Sequence, residues 1–270
     1  MIPLPVMDRC CRSEPVVLDH LSYSAIHSFR TCPRQFLFRY VLRLPDEQTF
    51  SSLVFGTAFH SAIECHFRSI LEGQPLLDLD TLLAIFWDAW HAEEKPIHFN
   101  KKEDLNSIGH LADRMLRAFQ ASDFARPEGR VIAIEEKIRG VVSDSCPEFV
   151  ARIDLITQTD EALFVTDFKT AISRWNPAKL EVAIPQLLIY RKLIEDMTDG
   201  LPVKLNFAVL TKRKKPILTI HQVEHDSELL ATTCQRVDDV WHAIQEGGFN
   251  PVPSPAHCPR CPFQETCRTW

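Results

Sequence analysis

The apolar positions along the chain follow two rhythms. From Ser22 to about residue 121 they recur at helical spacing. Ser22 or Ser24 can cap a first helix, in which Ile26, Phe29 and the Cys32-Pro33 pair lead into Phe36, Phe38 and Tyr40. Phe59, Ile63, Phe67 and Ile70 predict a second helix from Val54 to about Glu72, stopped at Gly73. Leu79–Glu94 and Asp104–Ala121 read as two more. The pattern then changes. Val131–Ile138, Phe149–Ile156 and Ala162–Asp167 are short β-rich runs separated by polar turns such as Thr157–Glu161. A helix is expected from about Ile184 to Asp196, closed by Gly200, and strands over Val203–Thr211 and Ile217–Val223 flank a basic turn. Ser227–Glu246 forms the last helix, ended by Gly247-Gly248. Residues 1–20 read as a loose leader, and Asn250–Pro255 is too proline-rich for regular structure.

These elements predict one α/β domain over 21–270, with 21–125 mainly helical, a sheet core over 131–223, and a helix plus cysteine tail over 226–270. The chain has 270 residues, 45% hydrophobic and 24% charged, which is enough to bury a substantial core. No apolar run approaches the ~18 residues of a membrane span, and Met1-Ile2-Pro3-Leu4-Pro5 lacks the flank and core of a signal peptide. A cytoplasmic location and no membrane partner are expected. The net charge of −6 argues against a general nucleic-acid coat, yet leaves room for a local basic face. Arg34 and Arg39, beside Arg30 and Arg43, form one basic cluster, and Lys212-Arg213-Lys214-Lys215 forms another. Both are candidate nucleic-acid contacts or plain solvated surface.

The candidate chemistry lies in the β-rich half. Asp167 and Lys169 are two apart, so on a strand both point to one face while Phe168 points into the packing. Asp154 lies in Arg152-Ile153-Asp154-Leu155-Ile156, and a hairpin through Thr157–Glu161 would set it beside Asp167. Glu135 follows Val131-Ile132-Ala133-Ile134; Glu136 is the alternative inward acid, since neighbours on a strand face opposite ways. Acids gathered on buried strands repel unless a cation neutralises them. An oxygen-rich set favours a hard ion such as Mg²⁺ or Mn²⁺, and a lysine beside it can stabilise a phosphoryl transition state. Taken alone, an acid-x-lysine is common, and such carboxylates also serve as strand-end groups bonded to turn amides.

The surroundings carry more. Leu21-Ser22-Tyr23-Ser24 through Cys32-Pro33-Arg34-Gln35-Phe36, then Gly56-Thr57-Ala58-Phe59-His60, Glu135, Arg152–Ile156, Asp167-Phe168-Lys169-Thr170, and Gln186-Leu187-Leu188-Ile189-Tyr190 occur in order over nearly the whole chain. This series resembles the RecB-like branch of the PD-(D/E)xK nucleases, which includes CRISPR-associated exonucleases and the nuclease domains of recombination complexes. Ala151 departs from a glycine usual in that family, a mild change. The resemblance implies a restriction-endonuclease-like core, a mixed central sheet flanked by helices. It implies a Mg²⁺- or Mn²⁺-dependent deoxyribonuclease, an exonuclease on single strands or DNA ends. His60, Asp154 and Asp167 would be metal ligands, and Lys169, Asp167, Asp154, Glu135, Gln186 and Tyr190 the catalytic set. Gln186 and Tyr190, four apart, share a helix face. A helicase, recombination or CRISPR-adaptation protein is an implied partner. The alternative is a non-catalytic DNA- or protein-binding subunit on the same fold, against which stands the presence of Asp154, Asp167 and Lys169 together.

Nine cysteines, an odd total expected in a reducing compartment, argue against a disulfide framework and leave ligation or simple unligated thiols. Cys258, Cys261 and Cys267 have Cys-x₂-Cys-x₅-Cys spacing, and Cys32, proline-flanked like Cys258 and Cys261, is the candidate fourth ligand. Four thiolates hold Zn²⁺ or a four-iron, four-sulfur (4Fe-4S) cluster, and spacing does not decide between them. The resemblance implies the iron–sulfur cluster, since several RecB-like nucleases carry one on one N-terminal and three C-terminal cysteines. The tail, poor in core residues, is expected to depend on that ligation for stability.

Overall fold

The computed structural model describes residues 15–270. Ser22 caps α1 (Tyr23–Thr31) by accepting the Ala25 N–H. Pro33 opens the one-turn α2 (Pro33–Phe36), which continues as a π-helical turn over Leu37–Val41. The two-residue β1 (Thr49–Phe50) leads into the long α3 (Ser51–Leu71). Asp78 caps α4 (Leu79–His91), β2 (Ile97–His98) pairs in parallel with β1, and Asp104 and Ser107 cap α5 (Leu105–Gln120) reciprocally. The sheet follows as β3 (Arg130–Gly140), β4 (Phe149–Gln158) and β5 (Leu163–Ala171), then α6 (Pro177–Leu193), β6 (Val203–Thr211) and β7 (Leu218–Val223). α7 (Ser227–Gln245) and the short α8 (Gln264–Thr269) complete the chain.

Strand order is β3-β4-β5-β6-β7. β5 and β6 are parallel and joined through α6, whereas the other neighbours are antiparallel, so the sheet is mixed. One face buries Phe29, Phe36, Val165, Leu187, Leu188 and Phe207 beneath α1, α6 and α7. The other buries Phe55, Phe59, Phe67, Phe86, Phe119 and Phe168 against α3, α4 and α5. Helices on both faces of a mixed sheet agree with the expected core architecture.

Three expectations change. α6 begins at Pro177 rather than Ile184, because Asn176 caps it and Pro177 fills a first-turn position where a missing N–H costs nothing. Pro185 lies inside the helix and is buried. Residues 1–14 of the supposed leader lie outside the described residues, but 15–20 are tied down. Val16 is buried, and the Gln245 side chain bonds both its N–H (3.1 Å) and its carbonyl (2.8 Å). The tail also packs: Phe263 is fully buried, with Phe38 at 5.7 Å, and Trp270 lies 5.3 Å from Phe38. It therefore has a small apolar core of its own beside the cysteines.

One irregularity positions the site. The β4–β5 ladder runs only from Gln158↔Leu163 to Leu155↔Thr166, after which the strands part. Where they part, the Asp154 carboxylate accepts the Phe168 N–H at 2.6 Å, taking the place of a ladder carbonyl. Across β4, the β3 ladder steps from Ile134↔Leu155 to Glu136↔Ile153 and skips Glu135. Glu135 has φ 52°, the left-handed region that non-glycine residues avoid.

Candidate active site

The parted strands frame an acidic hollow. His60 comes from α3, Glu135 from β3 and Asp154 from β4, and one potential ligand atom from each lies within 4.8 Å of the other two. His60 Nδ1 is 3.7 Å from Asp154 Oδ2. Burial pushes the Asp154 carboxyl well above the usual range, reinforced by the charge of Asp167. Burial also raises Glu135, with Glu64 adding repulsion. His60 is pushed down by burial, which keeps the imidazole neutral, the form that ligates metal. One histidine and two crowded carboxylates, disfavoured as anions, make a donor set suited to a small divalent cation.

Asp167 turns away from this trio. Its Oδ1 accepts from Gln186 Nε2 at 2.9 Å, and its Oδ2 lies 2.6 Å from Lys169 Nζ at an angle too poor for a regular hydrogen bond. Gln186 Nε2 also donates to Tyr190 Oη at 2.7 Å, joining two residues of one α6 face to the β5 acid. Burial works against the Lys169 charge, but Asp167 and Asp154 outweigh it and hold the ammonium above the ordinary lysine range. Burial and Asp167 likewise push the Tyr190 phenol up, so its proton stays. The arrangement can hold a cation, offer a fixed ammonium a short distance away, and accept an anion between them.

The sequence matches the PD-(D/E)XK nuclease superfamily over residues 20–268. The chain belongs to that superfamily. Among solved structures it is similar to a candidate exonuclease from Eubacterium rectale, at 15% identity and a TM-score of 0.56, over 93% of this chain and 88% of that one. That likeness is one of fold. SSO0001, at 16% identity over 83% of this chain and 87% of that one, has a TM-score of 0.37, too low to support an argument. No curated protein matches.

The nuclease fold thus brings together His60, Glu135, Asp154, Asp167, Lys169, Gln186 and Tyr190. Within the group, Glu135 rather than Asp167 completes the trio with His60 and Asp154. Glu136 is exposed on the other side of the strand. The basic clusters fare differently. Arg34 lines the cysteine cavity, its Nε buried without a partner, and Arg39 pairs with Asp46 at 2.8 Å and lies over the Phe263 ring at 5.5 Å. Both are engaged inside the fold, not spread on a free surface. Lys212 lies 4.4 Å over the Phe55 ring, its Nζ 3.3 Å from the Ser52 carbonyl, and burial lowers it to about 8. Arg213 and Lys214 are exposed.

Cys32, Cys258, Cys261 and Cys267 line one 370 Å³ cavity, although Cys32 and Cys258 are 226 positions apart in the sequence. Burial raises the thiols of Cys261 and Cys267, and each is further opposed by the neighbouring thiols. Sequence reasoning missed Glu64, which lines the acidic hollow and pairs with Arg68 at 2.6 Å. Its signal was present: Glu64 is four residues after His60 and shares its helix face.

No helix among the described residues is long and apolar enough to cross a membrane.

Proposed function

We propose that the protein is a divalent-metal-dependent deoxyribonuclease of the RecB-like branch, acting on single strands or DNA ends. The observation that carries this reading is the convergence of His60, Glu135 and Asp154 where β4 and β5 part, with Lys169 next to it. His60, Glu135 and Asp154 would hold a Mg²⁺ or Mn²⁺ ion, which would supply Lewis acidity toward a phosphoryl oxygen and an attacking water. The chain's own residues do the rest. Asp167 fixes the Lys169 ammonium beside the scissile phosphate, where it offsets charge growing on the non-bridging oxygens. Gln186 fixes Asp167, and Tyr190 fixes Gln186. Neutral His60 offers a lone pair without adding a proton to the hollow. In hydrolysis the water oxygen bonds to phosphorus as the bond to the leaving sugar oxygen breaks.

The four cysteines are assigned to a 4Fe-4S cluster with a structural role. Their convergence on one cavity supports a shared metal group. Four thiolates also hold Zn²⁺, the alternative occupant, and the preference for the cluster comes from the family resemblance. The test is anaerobic purification, a near-visible spectrum, and an assay on end-labelled single-stranded and duplex DNA with Mg²⁺ or Mn²⁺. Metal-dependent cleavage that favours the single strand supports the reading. Unchanged DNA under every metal condition would leave a binding subunit as the function.

A further inference from the structure

The cleft has a second half with a different chemistry. Arg152 and Lys169 form a wall shared by two hollows. On one side lies the acidic hollow of 480 Å³, with Glu64, Glu135 and Asp154. On the other lies a cavity of 530 Å³ between α1, β4 and α6. Its lining includes Arg152, Lys169 and Lys179 and no carboxylate, in a chain whose net charge is −6. The rest is mainly apolar or aromatic and includes Trp175, Tyr23 and Val182. The volume is within the range of sites that enclose small organic ligands.

Trp175 is half-buried and held from behind by Phe207 at 5.2 Å and by His221, stacked at 6.1 Å. Lys179 Nζ sits 5.3 Å from the Trp175 ring centroid, at the end of an exposed and flexible side chain. Tyr23 Oη donates to the Val182 carbonyl at 3.3 Å, linking α1 to α6. A held aromatic ring beside Lys179, Arg152 and Lys169 accepts a flat base and the phosphate attached to it. The acids that pair Arg152 (Glu135, 3.5 Å) and Lys169 (Asp167, 2.6 Å) stand outside the lining, and Lys179 is left as the mobile cation. Stacked and paired bases of a duplex cannot enter such a site without being extruded.

We propose that this cavity is a nucleoside subsite, in which the base next to the scissile phosphate stacks on Trp175 while Lys179 and Arg152 hold its phosphates. The proposal rests on the nuclease reading and deepens it, because it requires a strand whose bases are free. Lys179 would leave the indole for the phosphate as the base arrives.

The test is an NMR titration of the full chain in EDTA with deoxyadenosine 5′-monophosphate, deoxyribose 5-phosphate and inorganic phosphate. The nucleotide should bind about tenfold tighter than the base-free sugar phosphate, the size expected of one base–aromatic stack. Trp175→Leu should remove that preference, and Lys179→Glu should weaken all three ligands. Trp175 packs on Phe207, so Val182→Trp, at an exposed rim position, gives a second block that needs no core space. Equal affinity for the nucleotide and the sugar phosphate would overturn the proposal, as would nucleotide binding untouched by Lys179→Glu and Val182→Trp. Cleavage is assayed separately with metal. Cleavage without base-dependent binding rejects the subsite alone, and base-dependent binding without cleavage supports the subsite while rejecting the nuclease reading.

Discussion

Asp154→Asn should make the metal-free protein more stable while abolishing cleavage. In the native fold, Asp154 and Glu135 offer oxygens within 4.8 Å of each other. Two full charges at that distance repel by about 3.5 kcal/mol at an effective dielectric of 20. The native state avoids part of this by holding the Asp154 carboxyl protonated above its usual range, through burial and the nearby Asp167. Asparagine removes the charge and keeps an oxygen for the Phe168 N–H. The expected gain is about 1–2 kcal/mol, or about 2–8 °C in Tm for a domain of this size. Metal reverses the order, because a ligand that binds only the folded state at ~100 times its Kd adds about 2.7 kcal/mol, and the variant lacks a ligand oxygen charge to hold it.

The pH dependence has a definite sign. A carboxyl raised in the native state binds more protons there than in the unfolded chain, so its contribution is fully present below the ordinary aspartate value. It is lost as pH rises through the native value. The advantage of Asp154→Asn in EDTA should therefore be small below about pH 4, the ordinary aspartate value, and grow as pH rises from there until the native carboxyl ionises. Thermal melts of both proteins, with EDTA and with Mn²⁺ across that range, measure each part. A variant less stable than the parent in EDTA at neutral pH, or equal Mn²⁺ stabilisation of both, would refute the reasoning.

Lys169→Met should lower cleavage of labelled single-stranded DNA by ~10²–10³ with unchanged circular dichroism, and near-parental turnover would remove Lys169 from the chemistry. Gln186→Ala and Tyr190→Phe should cost less, about tenfold, because they act through Asp167; full activity in both would reduce the α6 face to packing. Serine at any one of Cys32, Cys258, Cys261 or Cys267 should lower bound iron and Tm, whereas serine at Cys146 or Cys234 should change neither. About four irons with matching sulfide per chain supports the cluster, and one zinc in a colourless protein counts against it.

Much of the fold was legible because local signals and periodicity agree. Ser22, Asp104 and Gly247 mark helix ends, and β4, β6 and β7 begin and end within a residue or two of their expected runs, whereas β5 continues four residues past the expected end at Asp167. The start of α6 was a local misreading, set by the Asn176 cap and Pro177; in the others, contacts distant in sequence decided the outcome. Phe263 stands alone in a proline- and cysteine-rich stretch with no periodicity, and its cluster with Leu37 and Phe38, far away in sequence, makes it a core residue. Val16 is anchored by Gln245, at the far end of α7. Arg34 and Arg39 counted as free cations until the fold gave them a cavity and an acid. Pairing of Asp167 with Lys169 was readable from two-residue spacing, whereas the subsite around Trp175 was not, since α1 and β4 supply much of its wall.

Glu135 shows most directly how the strands make the site. A regular β3 would continue its ladder through Glu135 opposite Asp154; the left-handed turn at φ 52° interrupts it there. The faces change at the same level. Ile134 and Leu155 serve the core under α3, whereas Ile138, Ala151 and Ile153 serve the core under α6. A non-glycine residue in that conformation costs on the order of 1–3 kcal/mol, and gathering its carboxylate with that of Asp154 adds repulsion. Neither cost serves packing, because the two cores on either side are already filled by aromatic and aliphatic side chains. Both are explained if the hollow exists to be neutralised by a cation, with the sheet held open where His60, Glu135 and Asp154 converge beside Lys169.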